Sequence, residues 1–96
     1  MNSIGEQRLA LEHGFQPAFF DFLTQTIYPS VFADGTLAPF HIYEGLPADV
    51  VVDRARSGRV VSTKATLMAG YERNGFFFSK PTVARAICEW GVRQVA

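Results

Sequence analysis

Residues 66–79 read TLMAGYERNGFFFS. Two structures compete for them. In the first, Ser62 or Thr63 caps a helix over 63–73, with Leu67 and Tyr71 at i, i+4 and Met68 and Tyr71 at i, i+3. Asn74-Gly75 is then its left-handed stop, and Phe76-Phe77-Phe78 a short buried strand, apolar on both faces. In the second, Asn74-Gly75 is a tight hairpin turn with Arg73 opposite Phe76. That hairpin puts Ala69 and Gly70 inside a strand, where both are disfavoured. The expectation from local preference is therefore the helix.

Upstream of this stretch, Arg59-Val60-Val61 reads as a short strand. Gly45-Leu46-Pro47 opens a helix reaching Arg56, with Asp49 in its first turn and Arg54, Arg56 and Ser57-Gly58 at its end, although Val50-Val51-Val52 is β-branched. Asp34-Gly35 between apolar residues signals a hairpin over 31–43, with Phe32 opposite Leu37. Pro29 and Pro39 place that ribbon at a sheet edge. Phe19, Leu23 and Ile27 fall at i, i+4, i+8 after Pro17, which predicts a central helix ending before Pro29. Ser3-Ile4-Gly5-Glu6 has capping-box spacing, and His13-Gly14 is a helix stop. Downstream, Ser79-Lys80-Pro81-Thr82 starts a last helix with an apolar stripe of Val83, Ile87 and Trp90 and a stop at Gly91. The fold class expected is α+β: a small single domain over residues 1–96, with about four helices and a small antiparallel sheet built on the 31–43 hairpin. The second helix and the 76–78 segment are expected in the core.

Hydrophobic residues make up 48% of the 96 and charged ones 19%, which is the balance of a folded chain rather than a disordered one. Nine phenylalanines supply much of the apolar area that so small a core needs. Cys88 is the sole cysteine, so neither an intrachain disulfide nor a cysteine metal cluster forms, as in a reducing compartment. The start of the chain has no basic and apolar leader pattern, and no run is long enough to span a bilayer. The expected location is cytoplasmic, with no membrane partner.

Formal net charge is zero, yet the halves differ. Residues 1–50 carry one basic residue against six acidic ones, and residues 51–96 carry eight against three. Excess positive charge in one half is an electrostatic footprint for phosphate or for an acidic partner. The bland reading is that the two halves fold together and cancel.

No catalytic constellation is present. His41 and Glu44 are candidates for an acid–base pair, but three residues apart on a strand they face opposite sides. His13, His41 and Cys88 lie on different elements without ligand spacing, so no metal site is expected. The chain reads as a non-enzymatic binding or regulatory protein, of a size and composition met in small bacterial or phage regulators, with no cofactor. The run Tyr71-Glu72-Arg73-Asn74-Gly75, followed by Pro81 and an apolar helix, faintly resembles the Cro/repressor-type helix-turn-helix family over residues 62–90. It departs from that pattern in the position of Gly75, the apolar Phe76-Phe77-Phe78 link and the missing Gln-x-x-Leu-Ala turn, so the chain is not assigned to the family.

Two binding readings follow. The leading one is nucleic-acid binding through the basic C-terminal half, by Arg54, Arg56, Arg59, Lys64, Arg73, Lys80 and Arg85. The alternative is a protein-binding module, an adaptor or inhibitor docking through the hairpin edge with Tyr28, Phe32, Phe40 and Tyr43 as anchors. Homodimerisation through the same ribbon is a third arrangement.

Overall fold

The computed structural model describes residues 4–95, and the side chains of residues 8–89. The order is α1 (Ile4–Glu12), β1 (Gln16–Asp21), β2 (Thr26–Pro29), a single 3-10 turn (Ala48–Val50), β3 (Val51–Arg54), β4 (Val60–Thr63), β5 (Leu67–Arg73), β6 (Phe76–Ser79) and α2 (Lys80–Val95). The fold is α+β but mostly sheet. Among the described residues two helices replace the roughly four expected, and six strands form an antiparallel sheet ordered β2-β1-β5-β6 and a separate β3-β4 pair.

The 66–79 stretch is the hairpin, not the helix. Arg73 pairs with Phe76 and Tyr71 with Phe78. Asn74 and Gly75 both take positive φ, 56° and 87°, the combination that lets a two-residue turn follow the strand twist. With β5 a strand, the helix-turn-helix likeness has no first helix and lapses. Gly70, which argued against the strand, is what lets it pack. A Cβ there would overlap the Phe77 ring and the Phe78 carbonyl oxygen. The ring lies across the glycine and stacks on Phe20 of β1, with centroids 5.0 Å apart.

The expected second helix is also a hairpin. Asp21 pairs with Thr26, and Phe19 pairs with Tyr28. The Phe19, Leu23, Ile27 spacing misleads because these residues share no face. Phe19 is buried, Leu23 sits 69% exposed at the turn, and Ile27 pairs with Phe20 on the opposite side of the sheet. The turn is set by Asp21, whose carboxylate accepts from the Leu23 amide at 3.0 Å, the local bond that makes aspartate a turn former. The helix expected to reach Arg56 shrinks to one 3-10 turn, after which the β-branched valines run as β3, consistent with their stiff χ1.

The 31–43 hairpin forms only as a turn. The Gly35 amide donates to the Phe32 carbonyl and the Phe32 amide to the Thr36 carbonyl. Beyond it a single bridge joins Val31 and Leu37, one residue off the expected register. The sheet is built on β1, β2, β5 and β6 instead, and the 31–43 segment has no ladder edge for a partner strand to extend.

One face of the sheet carries the core, in two clusters. At one end Phe15, Tyr71 and Phe78 pack against Ala10 of α1 and Val83 and Ile87 of α2. At the other end Phe19, Tyr28, Leu67 and Ala69 pack against Leu46, Val50 and Val51. Of the triple phenylalanine only Phe78 joins a cluster. Phe77 lies on the other face, and Phe76 is 68% exposed, so the 76–78 segment is not the buried core strand expected. Of the three helix ends within the described residues, two behave as read. After α1, the Phe15 amide bonds the Ala10 carbonyl and the Gly14 amide the Leu11 carbonyl, the Schellman closure. Ser79 Oγ accepts from the Thr82 amide at the start of α2. The capping box at Ser3 and the Trp90 side chain lie outside the described residues, and α2 runs through Gly91 to Val95. No helix among the described residues is long and apolar enough to cross a membrane.

Candidate nucleic-acid interface

Beyond Val51, β3 and β4 leave the body of the molecule as a ribbon arm. Residues 52–59 are all exposed, on both faces of the ribbon. A lone two-stranded hairpin is marginal in water, and this one is anchored at its base. Val50 is buried in the second core cluster, and the Lys64 amide donates to the Val50 carbonyl at 3.0 Å. At the far end Arg56, Ser57 and Gly58 make the turn. The Ala55 amide bonds the Arg59 carbonyl, and Gly58 takes φ of +89°. Arg54 Nη1 donates to the Gly58 carbonyl at 2.9 Å, which ties the guanidinium across the tip. The arm therefore brings together Arg54, Arg56 and Arg59, and none of the three is ion-paired among the described residues. Asp53 is the one acidic side chain on the same ribbon.

Beside the arm runs the 38–45 segment, held by polar groups that sequence reading passed over. Buried Ser30 donates from Oγ to the Phe40 carbonyl at 2.8 Å and accepts from the Ile42 amide at 2.9 Å. Gln16 Nε2 donates to the Ala38 carbonyl at 2.8 Å. Their only sequence signal is polarity inside an apolar run, which does not say what they will bind. Between this segment and the arm lies an open cleft of about 810 Å³, lined by Ala33, His41, Tyr43, Glu44, Arg54 and Arg59 among others. Tyr43 is 43% exposed, with its ring braced on Phe19 at 5.4 Å.

His41 sits between the two core clusters, edge-on to Phe19 at 5.5 Å and to Tyr71 at 5.4 Å. Its Nε2 lies 2.6 Å from the Gly70 carbonyl oxygen. That oxygen only accepts, so Nε2 carries the proton. Burial pushes the His41 pKa below 6.5; the hydrogen bond to Gly70 opposes this and the Lys80 charge adds to it. His41 is therefore neutral at neutral pH, with its Nε2 proton held by the Gly70 carbonyl. Burial alone would raise the carboxyl of Asp21, but the Thr66 hydroxyl, the Leu23 amide and the Lys64 ammonium hold it below 3.8.

The other sequence-predicted basic residues disperse. Lys64 Nζ lies 3.5 Å from the Asp21 carboxylate, which is 1% exposed, so this lysine is spent on a core charge. The Arg73 guanidinium stands 5.3 Å over the Phe15 ring, a cation–π contact. Lys80 is half-buried at the start of α2, and Arg85 is exposed on that helix. Of the aromatic set, Tyr28 packs against the second core cluster and Phe32 is half-buried edge-on to Phe40 at 5.8 Å. Phe40 and Tyr43 remain exposed. Cys88 is exposed on α2. Among the described residues no group of three His, Cys, Asp or Glu side chains is placed to hold a metal ion.

No protein family, characterised protein or solved structure matches this chain.

Proposed function

We propose that the protein binds nucleic acid through the β3-β4 arm. The observation that carries the reading is the tip itself: three arginines on an exposed ribbon, free of carboxylate partners among the described residues. A two-stranded ribbon is narrow enough to enter a nucleic-acid groove, and guanidinium groups bond phosphate oxygens in a fixed fork. The footprint is smaller than the seven residues read from sequence, because Lys64 and Arg73 are engaged in the fold and Lys80 and Arg85 stand on α2 rather than on the arm.

The test is binding of a labelled oligonucleotide followed by anisotropy across salt concentrations. Three phosphates neutralised give a slope of log K against log salt of about −2 on a single strand and nearer −3 on a duplex. Exchanging Arg54, Arg56 and Arg59 for glutamine should abolish binding, and Arg85→Gln should leave it intact. Equal binding by the triple variant would refute the proposal. A protein-docking reading would use not the 31–43 ribbon and its aromatic set, as read from sequence, but the other face of the sheet. There Phe20 and Phe77 stack and Met68 is 39% exposed. A wild-type chain that binds no oligonucleotide at low salt would leave that alternative standing.

A further inference from the structure

We infer that the cleft beside the arm takes one unpaired nucleotide, its base stacked on Tyr43, its amino-bearing edge on Glu44 and its phosphate on Arg54 and Arg59. This rests on the nucleic-acid reading and deepens it. Arginines alone would suit any polyanion. The same cleft, however, is also lined by an exposed aromatic ring and a carboxylate. A tyrosine face stacks any base, but only one that has left its duplex. The ring is positioned for this, since its contact with Phe19 leaves 43% of the residue open. The volume of about 810 Å³ lies within the roughly 300–1,000 Å³ usual for small-ligand sites and holds a base with its sugar and phosphate.

Glu44 decides which base. A carboxylate repels phosphate, so beside two arginines it serves a different part of the ligand. It accepts hydrogen bonds and donates none. Guanine presents N1–H and N2–H side by side, matching both carboxylate oxygens. Cytosine and adenine offer an amino group next to a ring acceptor. Uracil and thymine offer one N–H between two carbonyl oxygens, which the carboxylate repels. The expected order therefore puts guanine first and uracil or thymine last.

The experiment compares uridine-rich single-stranded RNA 8-mers that differ at one central position, guanosine, inosine or uridine. A matching DNA set and a hairpin duplex are run beside them, with a glutamate-rich peptide as control. Guanosine should bind roughly tenfold more tightly than uridine, the size of a bidentate base contact. Inosine, lacking the N2 amino group, should fall between them. The duplex should bind more weakly than either single strand. Glu44→Gln, an exchange at an exposed residue, should erase the base preference while keeping the salt slope. Tyr43→Ala should lose roughly tenfold for every strand, with Tyr43→Trp retaining affinity, so that a folding defect is told apart from lost stacking. If strands bind through the arm with no preference among bases or over duplex, this inference fails and the arm reading stands. If nothing binds, or the acidic peptide binds as tightly as the RNA, both fail.

Discussion

Gly70 governs the centre of the sheet. The Phe77 ring crosses it to reach Phe20, and the Phe78 carbonyl oxygen closes the remaining space. One added methyl therefore meets both a ring and fixed backbone. Gly70→Ala is expected to cost about 1–3 kcal/mol, the range for overpacking a filled site. In a domain this size that lowers the melting temperature by roughly 4–8 °C for each kcal/mol. A variant melting with the wild type would mean the Phe77 ring does not lie over Gly70. The same residue shows what a sequence conceals. Glycine is unfavourable in a strand on average, but a neighbouring ring that fills the space of a missing side chain reverses the sign. That ring is seven residues away, on another strand, so no local rule reports it.

At the scale of elements, legibility followed how local the determining forces were. The two surviving helices carry their own signals: an apolar stripe at Val83 and Ile87, Pro81 in a first turn, and a glycine closure after α1. The turn at Asp34-Gly35 was legible as a turn, and so was the strand at Val60, whereas Asn74-Gly75 reads by local preference as a helix stop and is instead the hairpin turn. The β1-β2 hairpin was not, because its loop of Phe22, Leu23, Thr24 and Gln25 has no turn glycine, with Gln25 itself taking φ of 58°. Its strands borrowed a helical spacing by accident. The 38–45 segment was hidden too, since it is held by Ser30, Gln16 and His41 rather than by a ladder. Its hold on His41 gives it a pH dependence. The fold keeps His41 neutral, with a pKa below 6.5. Above that pH neither folded nor unfolded chain is protonated there, and stability is full. As pH falls below 6.5 the unfolded chain takes up the proton first, so stability is lost until the folded pKa is passed. Melting temperature should therefore fall from pH 7 to pH 5, and His41→Phe should flatten that fall. Asp21 acts only below 3.8 and does not enter this window. An unchanged slope in His41→Phe would show that His41 is not the group responsible.

For the whole molecule, the uneven charge of the two halves was legible and its distribution was not. The acidic and basic halves partly cancel where Lys64 meets Asp21. What remains concentrated is the tip of an arm. The arm itself was obscured because valines 50–52 follow a proline and an aspartate that resemble a helix start, and the chain does make one 3-10 turn there before extending. Arg54 and Arg56, read as a helix end, and Arg59, read as the start of a strand, become on one ribbon a probe next to a cleft that Tyr43 helps to line. The most direct measurement is a titration of the isotope-labelled chain with a single-stranded 8-mer at low salt, followed by amide proton–nitrogen correlation spectra. Binding by the arm and cleft predicts that the largest shifts fall on Tyr43, Glu44 and residues 54–59, with α2 unmoved. Shifts centred on α2 or on Met68 and Phe77, or none at saturating oligonucleotide, would contradict it.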